Sequence, residues 1–200
     1  MNKLNSLILV FTVIYTILAG IYFLSIGNLE FLWYVGILTF LIILMIVLHK
    51  QFKFSSIVLF GASLWGFLHM LGGGLRINGE RLYTKIIISI YNSEVPGMQI
   101  LKYDQFMHFY TYIVVTVLLF YILNPYLKEK INWLIISVLL VFMAVGVGAI
   151  NEIVEFMPVV FLENTGVGGY HNTLLDIIFN TLGSIAGVIY LSFKNKIENN

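Results

Sequence analysis

The chain has 200 residues, of which 60% are hydrophobic and 10% charged, and its mean hydropathy is +0.94. That composition excludes an ordinary soluble domain and identifies an integral membrane protein. A net charge of +1 offers no basic surface for nucleic acid, and the absence of cysteine excludes disulfides and thiolate metal ligands.

Six apolar stretches are long enough to cross a bilayer at about 20 residues per crossing. They cover residues 6–26, 30–48, 54–73, 103–123, 131–157 and 172–193. The expected fold is an all-α bundle of six transmembrane helices, one domain over residues 1–200, with the connection between helices three and four lying over the outer face. The first stretch follows a single lysine and exceeds a signal-peptide core, so it reads as a retained helix. The first two stretches carry aromatics at their ends (Tyr22, Trp33, Tyr34) and no evident chemistry, and read as scaffold.

The third stretch closes on Leu68 His69 Met70 Leu71 Gly72 Gly73 Gly74, where the glycines are expected to stop the helix and turn the backbone sharply. In the connection that follows, Lys85 to Tyr91 is a candidate short strand or interfacial helix ahead of a break at Val95 Pro96 Gly97. The fourth stretch opens with Tyr103 Asp104 Gln105 Phe106 Met107 His108 Phe109. At helical spacing Asp104 and His108 share a face. This stretch is followed by Asn124 Pro125 and the charged turn Lys128 Glu129 Lys130. The fifth presents Gly148, Glu152 and Glu155 on one stripe before an expected interruption at Pro158, and a glycine-rich connection follows. The sixth starts near His171 and Asn172 and places Asp176, Asn180, Gly183 and Gly187 on one seam, polar above and open to close helix approach below.

Seven basic residues (Lys3, Lys50, Lys53, Lys128, Lys130, Lys194, Lys196) fall on the tail-and-even-loop side, against Arg76, Arg81, Lys85 and Lys102 on the other. Because basic loops stay cytoplasmic, the chain is expected in the cytoplasmic membrane with both termini on the cytoplasmic side.

Alternating helices turn sequence positions into depths. His69, Asp104, His108, Glu152, Glu155, His171 and Asp176 then all lie within about two turns, roughly 10 Å, of one membrane surface. Each has a plainer reading alone: Asp104 as a dipole-favoured helix start, Glu152 and Glu155 as a solvated helix end, the sixth-helix seam as packing, His69 and His171 as interfacial hydrogen-bonders. Together they call for compensation, since buried carboxylates are costly in lipid. In one form Asp104, His108, Glu152, Glu155 and Asp176 ligate a divalent metal ion, with His69 and His171 at the rim. In the other, the acids pair with His69, His108, His171, Arg76 and Arg81 without metal, one carboxyl staying protonated.

The Asp-x-x-x-His-Phe of residues 104–109, the Asn151 Glu152 Ile153 Val154 Glu155 Phe156 run and the later Asp176, Asn180 and Gly183 resemble the VanZ-like membrane proteins. His69 to Gly73 and the Tyr91 to Pro96 segment more closely resemble the YjdF-type inner-membrane proteins, over about Trp65 to Gly187. The first resemblance implies a link to resistance against the glycopeptide antibiotic teicoplanin, without a defined reaction; the second implies no agreed activity. The YjdF-type pattern carries a Trp-Asp pair and a following Gln-Lys-Asp after the glycine-rich loop. Here Tyr170 His171 Asn172 Thr173 occupies that neighbourhood and Asp176 is kept.

The expected function is an outward-facing polar or metal-binding pocket acting on an envelope or lipid-linked small molecule. If catalytic, it would perform metal-assisted hydrolysis or transfer at a phosphate, although no nucleophile elbow, phosphate loop or zinc motif marks such a step. A small or proton-coupled carrier, dimerising to build a path, and a non-catalytic structural or sensor protein are the alternatives. Partners are membrane lipids and, for a carrier, a second copy of the chain.

Overall fold

A computed structural model of the chain describes residues 2–91, 99–127, 132–163 and 165–198. Six helices carry the fold: α1 (Lys3–Ser25), α2 (Leu29–Phe52), α3 (Ser56–Gly74), α4 (Tyr103–Leu123), α5 (Trp133–Phe161) and α6 (Tyr170–Glu198). All six are long and apolar enough to span a membrane. Asparagine side chains start three of them: Asn2 accepts from Asn5 N at 2.8 Å, Asn28 from Phe31 N at 3.1 Å and Asn132 from Leu134 N at 2.9 Å. Each satisfies a backbone donor that has no partner inside its helix.

Contacts at the two ends show that the helices run up and down in turn. At one end Ser56 Oγ donates to Asn5 Oδ1 at 2.6 Å, the Phe54 and Tyr121 rings meet edge to face, and Trp133 Nε1 donates to Ser192 Oγ at 2.7 Å. At the other, the Tyr22 hydroxyl donates to Gly74 O at 3.2 Å and the Tyr103 hydroxyl to Leu68 O at 2.9 Å. The start of α1 and the end of α6 therefore lie at the same end.

The bundle has two halves. In the first, α1, α2 and α3 enclose an aromatic cluster of Tyr15, Phe23, Phe31, Tyr34, Leu38 and Met70. In the second, α6 lies against α4, where a Cβ at Gly183 would collide with the Phe109 carbonyl oxygen and one at Gly187 would come within 2.8 Å of Thr116 Cβ. Close backbone approach replaces bulky interlocking there, as expected where lipid offers no hydrophobic drive between helices.

The connection between α3 and α4 lies at the Tyr22, Gly74 and Tyr103 end. Strands β1 (Arg76–Ile77) and β2 (Glu80–Arg81) form a hairpin whose Asn78 and Gly79 take φ of 54° and 84°. Asn-Gly is the pair that tolerates both positive angles of such a turn. A short 3-10 turn (Leu82–Thr84) leads into β3 (Ile86–Tyr91), which pairs antiparallel with β4 (Ile100–Lys102). The isoleucine run after Lys85 is thus a strand, in keeping with its β-branched side chains. The Val95 Pro96 Gly97 break, the Lys128 Glu129 Lys130 turn and most of the Tyr91 to Pro96 segment lie outside the described residues.

Two expectations are corrected. Gly72, Gly73 and Gly74 do not turn the chain; they are the last residues of α3. A Cβ at Gly73 would strike the Phe31 ring and one at Gly72 the Tyr83 ring, so these glycines make room for aromatics. Nor does Pro158 interrupt the fifth helix, which continues to Phe161. Proline removes the donor that would reach the carbonyl four residues back. That carbonyl, Val154 O, instead accepts from Trp33 Nε1 of α2 at 3.3 Å.

Candidate functional site

His108 is the hub of the site. It lies one turn into α4, 6% exposed, because the helix starts at Tyr103 with Gln105 returning to the chain before it: Gln105 Oε1 accepts from Lys102 N at 3.1 Å. Four carboxylates from three helices face the imidazole. Nε2 lies 3.6 Å from Asp104 Oδ1, 3.8 Å from Asp176 Oδ1 and 3.9 Å from Glu155 Oε1, while Nδ1 lies 3.9 Å from Glu152 Oε1. Nδ1 is also 2.9 Å from Asn180 Oδ1. A proton on Nδ1 donated to that amide leaves the Nε2 lone pair facing three acids.

Amides on neighbouring turns orient the acids. Asn172 Nδ2 donates to Asp104 Oδ2 at 2.9 Å and to Asp176 Oδ2 at 2.6 Å, and Asn151 Nδ2 donates to Glu155 Oε1 at 2.7 Å. Glu152 Oε1, Asp176 Oδ1 and Asn180 Nδ2 are buried without a hydrogen-bond partner. Ligand atoms of Asp104, His108 and Asp176 fall within 4.8 Å of one another, as do those of His108, Glu152 and Glu155.

Beside this cluster is a cavity of about 170 Å³. Its walls include Glu30, Tyr34, His69, Lys102, Asp104 and Glu155, together with Gly166, Val167 and Gly168. Glu30 Oε2 accepts from Arg81 Nη1 at 3.0 Å and from Gly166 N at 2.8 Å, closing one wall. The Tyr83 hydroxyl is hydrogen-bonded to His69 Nδ1. Burial, and after it the Asp104 and Glu155 carboxylates, push the Tyr83 phenol well above its usual range. Tyr83 therefore stays protonated and can donate to His69.

A family model described as "Predicted membrane protein (DUF2238)" matches residues 5–196. The chain belongs to this family of membrane proteins. That agrees with the YjdF-type resemblance, whereas the relation to VanZ-like proteins finds no support in the match. Comparison with curated proteins gave no match, and comparison with solved structures gave none either.

Of the residues singled out in the sequence, Asp104, His108, Glu152, Glu155 and Asp176 come together, and His69 lines the adjoining cavity. His171 does not join them. It is exposed, meets the Tyr170 ring edge to face, and is absent from the cavity wall, because it lies next in sequence to the inward-facing Asn172 and so points elsewhere on the helix. Of the bases named for the metal-free network, His108 alone among the described residues lies within ion-pair distance of the four acids. Arg81 goes to Glu30, Arg76 Nη1 to Gly79 O, and His69 to Tyr83.

Asn172, Lys102, Tyr83 and Glu30 were missed by sequence reasoning. Asn172 carried a usable signal, standing four residues before Asp176 on the same helical face. Glu30 was passed over within a helix read as scaffold, yet α2 supplies Glu30, Phe31 and Tyr34 to the cavity.

Proposed function

We propose that this membrane protein holds a divalent cation among Asp104, His108, Glu152, Glu155 and Asp176, at a membrane surface where the cation acts on a polar group placed in the adjoining cavity. The supporting observation is the charge balance. Four carboxylates share one imidazole, and among the described residues no lysine or arginine forms an ion pair with any of them. Uncompensated acids are strongly unfavourable in so apolar a bundle. A cation held by Asp104, His108 and Asp176, or by His108, Glu152 and Glu155, would offset this charge and give the unpartnered oxygen of Asp176 or of Glu152 a partner. An oxygen-rich set with one imidazole suits zinc or manganese, and either would activate water or grip a phosphate oxygen.

Lysine placement supports an outward-facing site with both termini in the cytoplasm. Lys50 in the last turn of α2 and Lys53 just after it lie at the end remote from the acids, and Lys194 lies near Tyr121 at that same end. The substrate in keeping with that setting is an envelope or lipid-linked small molecule. A second reading, a metal-free lock between helices, draws on Asn172, whose amide already bridges Asp104 and Asp176.

Elemental analysis of the purified protein tests the choice. The expected result is a stoichiometric divalent metal that is lost in Asp176→Asn while circular dichroism stays helical. No bound metal, together with a melting temperature indifferent to chelator, would overturn the proposal and leave the lock.

A further inference from the structure

Beneath the polar cluster runs a second cavity of about 380 Å³, lined by α1 to α5 and overwhelmingly apolar. On α4 its lining extends from Thr111, one turn below His108, to Ile122, about 16 Å at 1.5 Å per residue. That exceeds half of the ~30 Å hydrocarbon thickness of a bilayer. At its far end lie His49 and Phe54.

Two residue pairs join this groove to the polar cavity. Asn151 lines the groove and donates to Glu155, which lines the cavity; Trp65 lines the groove with its ring 5.6 Å from that of His69 on the cavity wall. The groove also opens sideways. Leu44 of α2 and Val147 and Ile150 of α5 line it while 38%, 36% and 61% exposed, at a depth where the surrounding medium is lipid.

Water does not suit so apolar a space. Of its polar lining groups, Thr12 and Ser63 bond to each other at 2.6 Å, Thr111 donates to Met107 O and Asn151 to Glu155, while His49 Nδ1 at the far end is without a partner. A single hydrocarbon chain suits the apolar lining and the length, and the exposed Leu44 and Ile150 put the groove within reach of the bilayer's own chains.

We infer that the groove holds one acyl chain of a bilayer phospholipid, admitted between α2 and α5, with its head end directed at the cavity beside His108. The headgroup placement rests on the metal reading above, since an anionic phosphate needs the cation to approach so many carboxylates. The chain placement does not.

The test uses the full chain in phosphatidylethanolamine and phosphatidylglycerol vesicles, doped with a phosphatidylglycerol that carries a diazirine in one chain. After illumination, adducts are mapped by mass spectrometry. Leu41, Val114 and Leu118 in the groove should be labelled, alongside the outward-facing Phe40 and Phe142. Filling the groove with Ala62→Phe, or with Val115→Phe should the first variant not fold, should cut groove labelling about tenfold and spare Phe40 and Phe142. Unlabelled groove positions, labelling indifferent to both substitutions, or adducts joining two copies of the chain would each overturn the inference. Metal analysis of the same preparations separates this from the site proposal: Ala62→Phe should lose label and keep metal, and Asp176→Asn should do the reverse.

Discussion

The two halves of the bundle are built from different materials. Around α1 to α3 the centre is aromatic: Phe23 and Phe31 lie 4.9 Å apart, Phe31 meets Tyr34 at 5.3 Å, and the glycines at the end of α3 clear space for the rings. Around α4 to α6 the corresponding level holds four acids and an imidazole, and glycine brings backbones together. The polar cavity lies at the seam and takes walls from both. Aromatic packing with one paired charge, Glu30 on Arg81, holds one side, and four acids that share a single imidazole sit on the other.

The largest test of that contrast is Gly183→Leu. Its side chain would have to displace the Phe109 carbonyl, which is backbone and cannot swing aside, so a loss of more than about 3 kcal/mol is expected, seen as loss of a cooperative thermal transition in detergent. Next in size come His108→Ala and Phe31→Ala, which should cost similar amounts for different reasons. The first strips the buried Asp176 and three half-buried carboxylates of their shared partner, about 3–5 kcal/mol. The second opens an aromatic void, also about 3–5 kcal/mol at the upper end for lipid surroundings. Metal analysis should part them, His108→Ala losing bound cation and Phe31→Ala retaining it; equal retention in both would erase the distinction between the halves.

Smaller effects probe the boundary between the halves. Trp33→Phe leaves Val154 O without its replacement donor beside Pro158 and should lower stability by about 1 kcal/mol, measured as a shift in melting temperature. His171→Ala should change neither stability, within about 0.5 kcal/mol, nor metal content, because the ring is exposed. A loss of metal there would move the site toward the start of α6.

What the sequence disclosed follows from which costs are visible in one dimension. Six apolar runs announce the helices, and an acid with a histidine four residues later announces a shared face, so Asp104 and His108 were legible. The common depth of Glu152, Glu155 and Asp176 followed from helix alternation alone. Glycine and proline were misread because a residue lacking a Cβ or an N–H looks the same whether it turns the chain or yields space and a bond to something distant. The partner that keeps α5 continuous at Pro158 is Trp33, whose acceptor Val154 stands 121 positions later in the chain. Asn172 escaped notice because a neutral amide in a membrane helix raises no alarm, although it ties two carboxylates together. Glu30 escaped because its stretch, almost purely apolar otherwise, read as scaffold, and its partners Arg81 and Gly166 lie far along the chain.

Glu30 Oε2 accepts from both Arg81 and Gly166, so a single atom fastens the start of α2, the hairpin after α3 and the loop between α5 and α6. Removing that carboxylate would free the Arg81 guanidinium and the Gly166 amide from the start of α2 at the same time, so two sides of the cavity mouth share one fastening.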